Sequence, residues 1–169
     1  MSRRGTLVTL IAAAFVTLVE LGATLSGIGA APMELVSGWA PTRQGDVWAI
    51  LLTVGGCGAL FALPWLPTTA LLTASASYAV FILRDYEFGI TLPAMLAIFF
   101  VTVRGERRFV PLAAASLCLA STAVWIFMRT VTIIDSGVAM LAWVAFGTVS
   151  AVFFFLPAVF GELVRLRRL

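Results

Sequence analysis

Six apolar runs, each separated from the next by charge, proline or glycine, restrict what this 169-residue chain can become more than any other feature. They occupy about residues 6–27, 47–65, 66–83, 88–103, 109–128 and 137–164. A helix needs about 20 apolar residues to cross a bilayer, so the pattern predicts one all-α domain: a polytopic bundle of about six transmembrane helices over residues 1–169. Only Pro64-Trp65-Leu66-Pro67 parts the second run from the third, and two prolines there interrupt helical hydrogen bonding. Composition excludes the alternative of a water-soluble globule. Hydrophobic residues make up 62% and charged residues 11% of the chain, with a mean hydropathy of +1.08, where soluble domains carry about 45–50% and 25%. Met1-Ser2-Arg3-Arg4 before the first run resembles a signal peptide, but the run is too long and lacks a cleavage site. It is expected to stay as the first span.

Charge predicts orientation. All eleven basic residues are Arg, and with the N-terminus inside, eight fall on inner segments: Arg3, Arg4, Arg104, Arg107, Arg108, Arg165, Arg167 and Arg168. The outer loops then hold Arg43, Arg84 and Arg129 beside Glu34, Asp46, Asp85, Glu87 and Asp135. Basic residues favour the cytoplasmic side, so a plasma-membrane protein with both termini cytoplasmic is expected. The Pro64–Pro67 turn should face inward yet carries no Arg. Trp39, Trp48, Trp65 and Trp125 lie near run ends, the depth favoured by interfacial aromatics.

Chemistry has few places to reside. The chain has no His, hence no imidazole base, metal ligand or phosphoacceptor. Cys57 and Cys118 lie inside apolar runs and read as small buried hydrophobes. Gly55-Gly56-Cys57-Gly58 lacks the Lys-Ser/Thr of a phosphate loop and suits close helix packing. Glu20 is the one ionisable residue well inside a run. A carboxylate there costs about 2.5–3.5 kcal/mol and should face the bundle or a hydrated cavity. Depth arithmetic at about 1.5 Å per residue places Thr53, Ser77, Tyr78, Thr122 and Trp143 in the same layer. Two readings follow: an intramembrane polar site, or an acid that pins helix register through a neighbouring hydroxyl. Pro93 and Pro157 lie within runs and are expected to kink them. The last run continues through Pro157, Glu162, Arg165, Arg167 and Arg168 as a helix leaving the membrane, its arginines held by anionic headgroups.

These features together resemble the N-terminal membrane domain of actinobacterial sensor histidine kinases, the class paired with LuxR-type response regulators. The similar features are Leu18-Val19-Glu20-Leu21-Gly22 late in the first run and Leu60-Phe61-Ala62-Leu63-Pro64 closing the second. To these are added the Arg-rich segment Arg104 to Arg108 and Arg165-Leu166-Arg167-Arg168, where the family's stalk would begin. The family usually carries several Arg between spans two and three, where this chain has Pro-Trp-Leu-Pro. The resemblance implies a dimeric input and anchoring module without the kinase half, truncated or orphan, and not itself an enzyme. It would relay a signal through the last helix to a cytoplasmic kinase core or response regulator. A small six-span transporter component binding a solute near Glu20 is the alternative. Neither reading calls for a cofactor, a metal or nucleic acid; the bilayer is the expected partner of both.

Overall fold

The computed structural model describes residues 3–28, 41–86, 89–105 and 109–167, with the side chain of Arg4 excepted. Pro32, Glu34, Trp39, Glu87, Glu106, Arg107, Arg108 and Arg168 therefore lie outside the described residues. Among those described, the chain forms six helices: α1 Arg3–Ser26, α2 Val47–Ala62, α3 Pro67–Leu83, α4 Thr91–Arg104, α5 Phe109–Thr130 and α6 Ser136–Leu166. It is a membrane protein by its helices. Three of them, Gly5–Ser26, Phe109–Thr130 and Ser136–Leu166, are long and apolar enough to cross a bilayer.

The apolar runs suggest six such helices, and length is what separates the two counts. α2, α3 and α4 have 16, 17 and 14 residues. At about 1.5 Å per residue they reach about 24, 26 and 21 Å, against a hydrocarbon thickness of about 30 Å. Local chemistry trims each one. Asp46 starts α2 by accepting the Ala49 amide at 3.1 Å, and the helix closes at Ala62 as the chain turns through Leu63–Trp65 ahead of Pro67. Pro67 then opens α3 at its first position, where its missing N–H costs nothing. α2 and α3 fold back on each other, with Gly56 lying against Ser77.

α4 begins at Thr91, three residues beyond the start expected from hydropathy. Pro93 consequently sits in its first turn, where proline replaces an N–H that has no intrahelical partner. The expected kink has no cause there. Ile90, its N-cap, takes a left-handed backbone (φ 50°), and Gly105 ends the helix in the same region (φ 69°), donating to the Val101 and Thr102 carbonyls. α6 continues through Pro157, whose missing N–H leaves the carbonyl four residues earlier without its usual donor. Asp135 caps the start of α6 through the Gly137 and Val138 amides.

Packing makes the shortest helix the hub. α4 touches all five others, whereas among the described helices α1 packs on α2 and α4 alone. Side chains are distributed in the membrane sense. Thr9, Ala13 and Glu20 of α1 face the bundle, and Leu7, Ile11, Phe15 and Leu18 face outward. Small residues inside let helices approach closely where lipid is as apolar as leucine. The chain thus alternates direction, and one end of the bundle gathers Asp46, Asp85 and Arg129 while the other gathers Gly105 and Arg165.

Candidate functional site

Glu20 is buried, 6% exposed, and both its carboxylate oxygens are engaged. The Ile90 amide donates to Oε2 at 3.1 Å and the Leu92 amide to Oε1 at 3.1 Å. These are amides at the start of α4, which has no side-chain cap of its own. The first N–H groups of a helix have no intrahelical acceptor, and in hydrocarbon each unmet group costs several kcal/mol. The positive end of the helix dipole adds a favourable interaction with the carboxylate. Glu20 therefore caps the first amides of α4 from another helix.

The layer expected around Glu20 separates into parts. Thr53 is fully buried, donates to the Ala49 carbonyl at 2.8 Å and lies 3.1 Å from the Thr24 hydroxyl. Ser77 packs against Gly56, where an added Cβ would meet its own at 3.3 Å. Tyr78 and Thr122 pair at 2.7 Å, joining α3 to α5, and Phe154 stands edge-on to the Tyr78 ring at 4.8 Å. Trp143 is 40% exposed on the outside of α6. Glu20 takes backbone amides as partners where hydroxyls were expected. Of the output residues, Glu162 and Arg165 form an ion pair at 2.5 Å, and Arg167 is exposed.

Sequence reasoning missed the largest polar constellation. At the end of the bundle nearest Glu20, Asp85 takes a positive φ of 66°, a conformation Asp tolerates better than most residues. Its carboxylate receives a fork from Arg129, Nε to Oδ1 at 2.7 Å and Nη2 to Oδ2 at 2.8 Å, together with the Trp125 indole N–H at 2.8 Å. Bidentate pairing of this kind fixes direction as well as distance. Tyr86 donates its hydroxyl to Asp46, and Arg43 reaches Asp46 at 3.2 Å. The Arg43 amide also bonds the Asp85 carbonyl at 2.8 Å. Arg84 stacks on Trp48 and Tyr86, 5.3 and 5.9 Å from the ring centroids. The only signal in the chain was the mixture of Arg and acid in loops that were expected to lie on the outer face. Partners 40 and 44 residues apart left no local trace.

The Tyr86 hydroxyl holds the Asp46 carboxyl below its usual range, with the Ala49 amide and Arg43 acting in the same direction. A depressed carboxyl pKa adds stability above the unfolded value, about 3.9, which is lost as pH falls through the folded value. Tyr86→Phe removes the largest cause. Its melting temperature should fall below the wild type at pH 7, and the gap should narrow as pH falls below about 3.9, closing only once pH has passed the depressed folded value and Asp46 is protonated in both forms. Thermal melts in detergent across that range measure it. A gap that persists unchanged at low pH would detach Asp46 from the effect.

Among the described residues no three His, Cys, Asp or Glu side chains converge on a possible metal position. The acids of the interior and of the polar end are held by amides, a tyrosine hydroxyl, an indole and guanidiniums. They join helix ends to one another. The chain matches no family model, no curated protein and no solved structure.

Proposed function

We propose that the chain is a membrane sensor or anchor module, similar to the input domain of a two-component histidine kinase, passing a signal through α6 to a cytoplasmic stalk. In this reading all six helices lie in the bilayer, both termini are cytoplasmic, and two copies associate through their spans. A kinase core or response regulator is the cytoplasmic partner. The observation that carries the reading is the coupling of α6 to α4. α6 has 31 residues, about 46 Å, and overruns the hydrocarbon core by about 15 Å. Its final turns are keyed to the hub helix. A Cβ added at Gly161 would lie 2.8 Å from Thr102 Cβ and 3.0 Å from the Phe99 carbonyl oxygen. Arg165 lies as close over Gly105, where an added Cβ would meet its Cδ at 2.8 Å. α4 touches every other helix, so a displacement of the bundle reaches the segment that leaves it.

The occupancy of Glu20 weighs against the solute-binding alternative, because a ligand there would have to displace two backbone amides. Fusion to a histidine kinase core after Arg167 tests the proposal. Inserting one to four alanines at the junction should make autophosphorylation rise and fall with a period near 3.6 residues, as helix rotation dictates. Gly161→Leu should flatten that dependence, at a cost of about 1–3 kcal/mol in stability from overpacking. Output indifferent to insertion phase would remove α6 as the conduit.

A further inference from the structure

At the end of the bundle opposite the Asp85 cluster, α4, α5 and α6 leave a groove of about 300 Å³. Val101, Pro111, Leu112, Phe155 and Val159 supply its apolar walls, and Thr102 and Glu162 are its polar members. It runs from the level of Phe155 to that of Glu162, about 10 Å along α6. Leu112 and Val159 stand half exposed, so the groove opens sideways toward the surroundings of the bundle as well as toward the helix ends. A volume at the lower limit of ligand pockets suits a length of one acyl chain and leaves a headgroup outside.

The charge at this end is positive. Arg104 closes α4, and Arg165 and Arg167 close α6, against the single carboxylate of Glu162 among the described residues there. Arg165 borders the groove without lining it, touching two of its lining residues, Gly105 and Glu162. Its stem covers Gly105, its side chain is 14% exposed, and Nη2 holds Glu162 Oε1 at 2.5 Å. Its Nε is buried without a hydrogen-bond partner among the described residues. A guanidinium carries five N–H donors, and Glu162 Oε1 engages one of those on Nη2. We infer that the groove is a binding site for an anionic phospholipid, one acyl chain lying between α4, α5 and α6 and the phosphate facing Arg165. The positive charge of this end attracts the phosphate, and the apolar walls take a chain that carries no charge to desolvate. The lipid then rests on Val159 and Glu162, within the segment of α6 proposed to carry output, and its exchange alters how α6 seats on α4.

This inference rests on the bilayer placement proposed above, and the experiment separates the two. The full chain, purified in detergent, is titrated with phosphatidylglycerol, phosphatidylcholine and inorganic phosphate, and native mass spectrometry counts the lipids retained. One phosphatidylglycerol should be retained at about fivefold lower concentration than phosphatidylcholine, the ratio one basic residue near an anionic headgroup is worth. Inorganic phosphate should not compete. Arg165→Gln should bring the two lipids level, while Val159→Trp and Leu112→Trp, each filling the groove from an exposed edge, should abolish retention of both. Helicity by circular dichroism identifies any variant that fails to fold, and the remaining two then decide. Equal retention by the wild type, competition by inorganic phosphate, or an anionic preference that survives in the folded variants would overturn the site. Resistance of the membrane-bound chain to alkaline extraction reports bilayer placement separately. Loss of that resistance would overturn both readings, whereas an inserted chain without lipid preference overturns only this one.

Discussion

Glu20→Ala should destabilise the bundle by about 2–4 kcal/mol, because it leaves two amides at the head of the hub helix without acceptors. Each unmet buried donor costs about 1–3 kcal/mol. Removal of a carboxylate that is expensive to bury recovers part of that loss. Glu20→Gln keeps one carbonyl oxygen for one amide and turns an NH₂ group toward the other, so about half the loss should remain. Unfolding in mixed micelles followed by circular dichroism gives the magnitudes. Hydrogen exchange gives the location: the Ile90 and Leu92 amides, which donate to Glu20, should lose protection ahead of their neighbours. An unchanged melting profile with unchanged exchange at those two amides would show that Glu20 is not a structural cap. If such a variant also lost signalling or solute binding, Glu20 would become the polar site that the sequence first suggested. The cap reading also explains why an acid stands here. A serine or threonine reaches one amide at short range, whereas a glutamate from the neighbouring helix spans two.

The second large effect is expected at Asp85. Its removal takes a carboxylate acceptor away from the Arg129 guanidinium, whose side chain is 7% exposed, and from the Trp125 indole, which is 1% exposed. Breaking a buried ion pair from one side costs about 3–5 kcal/mol. The Asp85 side chain is 42% exposed, so water can take up part of its role, and Asp85→Ala should cost about 2–3 kcal/mol. Asp85→Asn retains an acceptor for the indole and should cost less. Arg129→Met alone leaves a carboxylate that water can reach, so it should be milder than Asp85→Ala. The double variant should recover about 1–2 kcal/mol relative to the sum of the single losses, the coupling expected of a bidentate pair in a partly dry site. A double-mutant cycle in micelles measures it. Additive losses would mean that the two residues stabilise the bundle independently, and the fork would then be incidental to stability.

These two sites show how far a single chain can be read. Glu20 stood out because an acid in an apolar run is rare and costly, and that argument needs no partner. The partner was misjudged. Depth arithmetic assumed that all runs cross the bilayer fully with their ends aligned, which placed Thr53, Ser77, Tyr78, Thr122 and Trp143 beside Glu20. α4 is three residues shorter at its start than its apolar run, so its first amides come within reach of a carboxylate on α1. Tyr78 and Thr122 do share a level, and they bond each other. Trp143 lies on the exposed side of α6, because depth arithmetic does not fix the face and a helix turns by about 100° per residue. The Asp85 cluster was beyond reach for another reason. Arg84, Asp85 and Tyr86 are adjacent in the chain yet point to different elements: Arg84 to Trp48, Asp85 to Trp125 and Arg129, Tyr86 to Asp46.

The sequence by itself determined that this is a helical membrane chain, where its six helices lie to within a few residues, and that one interior acid needs an explanation. Partition between water and lipid acts on each residue in turn, and proline and capping act over a single turn, so both are written locally. Only the tertiary structure decided that α4 is the hub, that Glu20 caps it, that Asp85 gathers Trp125 and Arg129, and that Gly161 lets α6 seat on Thr102. Those outcomes depend on how far each helix is rotated and sunk relative to the others. Small differences in packing and in unmet hydrogen bonds set that choice, and no single segment contains them.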